Sequence, residues 1–133
     1  MTALLHAHSG LRFLVLLLGV VSLVVFGLGL ATDKPFGKLH RILGASFAGS
    51  LHLQVLLGLS MVAMGRWYPQ LAGHLAMMLL AAGAAQAAMT MNRKRAVPGM
   101  KLPLIGVVVA LLLIVGGIMA IGRGLFTMTV ITG

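Results

Sequence analysis

The sequence predicts an all-α fold: an integral membrane four-helix up-down bundle. Three observations lead there. Of 133 residues, 60% are hydrophobic and only 8% charged, a balance that no soluble domain of this size has. The apolar residues fall into four long segments, and about 20 apolar residues span a bilayer as a helix. Each break between segments carries proline or glycine together with charges. Four spans and short connections use up residues 1–133 as one membrane domain, with no room for a soluble enzyme site.

Segment one is expected over residues 4–31. No Lys or Arg precedes Arg12, and the apolar run exceeds a signal-peptide core of about 7–15 residues, so it reads as a mature helix. Thr32–Lys38 breaks the chain with a proline, a glycine and three charges. Segment two is expected over 39–64 and stops at Gly65-Arg66-Trp67-Tyr68-Pro69, whose aromatic pair suits a membrane–water interface. Segment three, 70–91, runs into Asn92-Arg93-Lys94-Arg95. Segment four, 102–122, opens with Pro103 in its first turn, where proline is tolerated. The β-branched tail, Arg123–Gly133, reads as interfacial or partner-bound.

The formal charge is +9, with ten Lys and Arg against one acid, Asp33. These cations flank apolar segments, so they read as topology determinants and lipid headgroup contacts rather than as a nucleic-acid surface. The 1–2 and 3–4 connections hold seven of them: Lys34, Lys38, Arg41, Arg93, Lys94, Arg95 and Lys101. The opposite side holds three: Arg12, Arg66 and Arg123. That bias puts the Arg93–Arg95 loop in the cytoplasm and both termini outside, as in a bacterial inner membrane. The absence of cysteine removes disulfides, thiolate metal sites and iron–sulfur clusters.

Polar groups at membrane depth are costly, so each needs a reason. On helix one, His8, Arg12, Val15, Gly19, Ser22 and Phe26 share one face. Gly19 opens that face deeper down. An interfacial histidine with a snorkelling arginine is the plainer explanation. On helix two, Ala45, Ala48, Gly49 and His52 share a face, either a close helix contact or a slot for a flat ligand. His52 is equally well a core histidine bonded to Ser22 or Gln86. His40, at the cytoplasmic boundary, reads as solvated. On helix three, His74, Met78, Ala81, Ala85 and Ala88 form a stripe that another helix or a flat cofactor could approach. The methionines read as packing. Helix four has no polar side chain between Leu104 and Gly122 and offers Gly116-Gly117 as a close-contact point.

At 1.5 Å per residue, His8 and His74 each lie about 6 Å from the start of their helices. Helices one and three run the same way and are diagonal in an up-down bundle. The two imidazoles can therefore face one another across the core, which is the geometry a bis-histidine haem needs. His52 lies about 18 Å from the outer end of helix two, some 10 Å too deep to pair with either. Arg12 could pair with a propionate. The reading is a b-type haem held by His8 and His74, suited to electron transfer rather than oxygen chemistry. His52 stands behind them as alternative ligand, hydrogen-bond partner of a quinone, or core residue. A small copper site, a proton-handling pair and two unrelated interfacial histidines are the other uses of such a pair.

His8-Ser9-Gly10-Leu11-Arg12, His52-Leu53-Gln54 with Leu56-Leu57-Gly58, and His74 followed by Met77-Met78 resemble small bacterial four-helix membrane proteins labelled cytochrome b-like. That family carries the same motifs in the same order, usually with Trp where this chain has Phe13. The resemblance spans about residues 5–95 and implies a haem-binding membrane bundle. The order His, Gln-x-x-x-Gly, His is also similar to one half of haem A synthase, where diagonal histidines hold a b-type haem. The second half-bundle and an acidic residue near the histidine are missing here. A haem-free accessory subunit of a larger respiratory or photosynthetic complex is the competing expectation, since Gly- and Ala-rich faces suit packing on a partner or in a homo-oligomer. A small transporter or channel fits less well, with no acid at membrane depth.

Overall fold

A computed structural model describes residues 2–121. These residues form four α-helices and no strand: α1 (Thr2–Ala31), α2 (Lys38–Ala63), α3 (Gln70–Arg93) and α4 (Lys101–Ala120). All four are long and apolar enough to cross a membrane. The tail Arg123–Gly133, with Arg123 of the charge bias, lies outside the described residues.

The helix ends follow from local chemistry. α1 closes where Asp33 takes φ 53°, a left-handed conformation that Asp tolerates better than most residues. Lys34 N–H can then reach back to the Gly29 carbonyl at 2.9 Å, which satisfies a carbonyl the helix leaves open. Gly65 does the same for α2, with φ 96° and Arg66 N–H on the Met61 carbonyl at 3.1 Å. At the start of α2, Gly37 N–H donates to His40 Nδ1 at 3.0 Å. The His40 ring lies against Phe36 and Phe26, at 5.6 and 6.4 Å between centroids. His40 is therefore half-buried and caps the helix, where the sequence predicts a solvated ring. At the other connection, Gly99 N–H donates to Oδ1 of the fully buried Asn92 at 3.0 Å.

Each helix buries one stripe. On α1 it is Leu5, Ser9, Arg12, Val15, Gly19, Ser22, Phe26 and Gly29, spaced by three or four residues as a 3.6-residue period requires. Helix α1 packs on α2 and α4, and α3 packs on α2 and α4, so α1 and α3 stand diagonally. The α3–α4 contact is the most extensive. Small residues make it so: a Cβ on Gly106 would collide with that of Ala88, and Ala81, Ala85 and Ala110 are buried beside it. Such faces let helix backbones approach closely, which is how helices associate without a hydrophobic drive between them. The alanine stripe of α3 thus receives a neighbouring helix.

The outside is apolar. Leu17, Leu28, Leu56, Leu80 and Leu112 are all more than half exposed, Leu112 by 69%. A contiguous apolar coat of this kind is foreign to soluble monomers.

Candidate functional site

At the end where α1 and α3 begin, the four helices leave a cavity of about 870 Å³, counting its open mouth. His8 from α1 and His74 from α3 face each other across it, with ring centroids 6.5 Å apart and planes inclined by 67°. The diagonal packing of α1 and α3 produces this meeting, since each histidine sits in the first turns of its helix.

Neighbouring helices hold both residues. His74 is buried and its Nδ1 donates to the Gly117 carbonyl of α4 at 2.9 Å. A neutral ring that donates through Nδ1 carries its lone pair on Nε2. The closeness of α4 at this level depends on Gly117, where a Cβ would meet Met78 Cε at 2.5 Å. His8 is half-buried. Its backbone carbonyl accepts from Gln54 Nε2 of α2 at 2.7 Å. One turn further along α2 is Gly58, where a Cβ would meet His8 Nε2 at 3.3 Å, so a bare backbone leaves the ring its room. Gln54 is 7% exposed, and its Oε1 has no hydrogen-bond partner among the described residues.

Two guanidinium groups join the wall. Arg12 is buried, with its Cζ 4.9 Å from the Phe13 ring centroid, in cation–π range. Arg66 and Tyr68, from the loop after α2, line the mouth. Among the described residues no cluster of three or more His, Cys, Asp or Glu could hold a metal ion.

The structure thus brings together His8, Arg12 and His74. It sets the other expected site residues elsewhere. Gly19 is buried at a helix crossing, where a Cβ would meet Leu111 Cδ2 at 2.5 Å and Phe47 Cε1 at 3.0 Å. His52 and Ala48 line a separate cavity between α2 and α3. There His52 is exposed on the flank of the bundle and its Nε2 donates to Gln86 Oε1 at 2.9 Å. Gln54, Gly58, Arg66 and Tyr68, which the sequence does not mark as site residues, complete the His8–His74 cavity. The i, i+4 spacing of Gln54 and Gly58 was the signal for two of them. Comparison with protein-family models, curated proteins and solved structures finds no match.

Proposed function

We propose that this chain is a membrane-embedded electron-transfer protein or subunit that binds one b-type haem between His8 and His74. The observation that carries the reading is the 6.5 Å between the two ring centroids. A metal–imidazole bond of about 2 Å, plus roughly 1 Å from nitrogen to ring centre, is about 3 Å, so both rings would be within reach of one ion held between them. The spacing is the same whichever ring nitrogen faces the metal. A bare copper or zinc ion is less well served, since such ions take three or four protein ligands, and the described residues offer no His, Cys, Asp or Glu cluster of that size. A macrocycle supplies its own four nitrogens.

The other residues have work that suits this group. Gly117 accepts the Nδ1 proton of His74, the orientation that metal-bound imidazoles usually receive from an outer partner. Gln54, bonded to the His8 backbone, brings a buried acceptor to the same wall. Arg12 and Arg66 offer cations to carboxylates. Haem, when bound, would supply a one-electron couple, with His8 and His74 as the residues that would hold it. The absence of cysteine makes the attachment non-covalent. A quinone is the natural lipid-soluble partner for such a couple, and the bacterial inner membrane, with termini outside, the natural setting for the charge bias.

Haem content and the visible spectrum of the purified protein test this. The expected result is about one haem per chain, since His40 and His52 are too far apart along α2 to share a second iron and His6 is exposed on α1, with the sharp reduced bands of a six-coordinate low-spin b-type centre. Well-folded protein from its native host without haem refutes the reading and leaves the accessory-subunit alternative.

A further inference from the structure

The groove between α2 and α3 lies apart from the His8–His74 cavity and shares no lining residue with it. It holds about 740 Å³, counting space that is open to the outside on the flank of the bundle. Arg41, in the first turn of α2, and Arg93, the last residue of α3, line the same end of it. The floor is small or flexible: Ala45, Ala48, Gly49 and Met89. His52 and Gln86 close the deep end, bonded to each other, and Gln86 Nε2 donates onward to Thr90 Oγ1 at 3.0 Å.

We propose that this groove binds an anionic phospholipid, with its phosphate between Arg41 and Arg93 and one acyl chain along Ala45 and Gly49. Charge, length and shape each support that occupant. Both arginines lie on the end that carries seven of the ten cations. Basic pockets between membrane helices on the cytoplasmic side are known headgroup sites. From Arg41 to His52 the helix rises about 16 Å. That is close to half of a hydrocarbon core of about 30 Å, so the groove reaches from headgroup level to the midplane. Gly49 keeps it open: among the described residues, a Cβ there meets nothing within 4 Å. The mutual hydrogen bond of His52 and Gln86 satisfies both side chains at the deep end, against which a chain terminus can rest.

The test is native mass spectrometry of the full chain in detergent, titrated with phosphatidylglycerol, phosphatidylethanolamine or inorganic phosphate. Phosphatidylglycerol should be retained over phosphatidylethanolamine. Arg41→Gln and Arg93→Gln should each weaken retention about fivefold, the effect of roughly 1 kcal/mol per basic residue. Gly49→Leu should abolish it by filling the groove, while the open space around that position keeps the fold intact. Retention unchanged in the arginine variants overturns the proposal. So does phosphate that displaces the lipid while Gly49→Leu has no effect, which marks a free-anion site. A lipid-free dimer broken by Gly49→Leu overturns it too, with a second copy as the occupant.

Discussion

His74 and His52 are both membrane-segment histidines with small residues beside them, and the fold uses them in opposite ways. His74 points inward, is 7% exposed, and is held by a backbone carbonyl of α4. His52 points to the flank, is exposed, and is held by the side chain of Gln86. A carbonyl fixed in a helix cannot turn away, so it sets the ring's tautomer and direction. A side-chain amide on an open groove satisfies a polar group without aiming it at anything. The contrast separates a positioned histidine from a merely satisfied one.

The comparison can be broken at several points. The largest stability effect should come from Gly106→Leu. The new side chain must push α4 off Ala84 and Ala88 of α3, the contact that brings the Gly117 carbonyl to His74. Overpacking of this kind costs about 1–3 kcal/mol or more, and thermal melts in detergent should show it together with loss of haem. Gly58→Leu should act more locally, since among the described residues the His8 ring alone lies within 4 Å of that space. Haem content should fall while helicity by circular dichroism stays unchanged. Gln54→Leu removes the bond to the His8 carbonyl, worth about 1 kcal/mol, and should shift the potential more than the haem content. The smallest effect should be that of His52→Ala. Interhelical polar pairs in membranes average about 0.6 kcal/mol, and the haem spectrum should survive. Reporter fusions bear on the setting of both regions: the loop after Arg95 should be cytoplasmic and Gly133 external, and an active cytoplasmic reporter at Gly133 would reverse the assignment.

Much of this was legible in the residues, and the exceptions are physical. The stripe of α1 follows directly from its 3.6-residue period, and four helices in short succession force α1 and α3 onto a diagonal. The meeting of His8 and His74 could therefore be foreseen from depth alone. The hold on His74 could not, because the partner is a main-chain carbonyl on a helix with no polar side chain, and every residue has one. Gly19 shares a face with His8, but glycine marks close backbone approach as readily as open space, and Leu111 takes the room. Ala45, Ala48 and Gly49 reveal a face, not which way it turns; the α2–α3 pairing decides that it opens outward. The burial of His40 is not legible in the sequence, because two aromatic rings from α1 and the loop reach it only after the chain turns.

The most direct measurement sets the visible spectra of the wild type, His8→Ala, His74→Ala and His52→Ala side by side, on protein purified by one procedure. The account predicts that the low-spin b-type spectrum is lost in the first two variants and kept in His52→Ala. Loss in His52→Ala with retention in His8→Ala would contradict the pairing on which the functional reading stands.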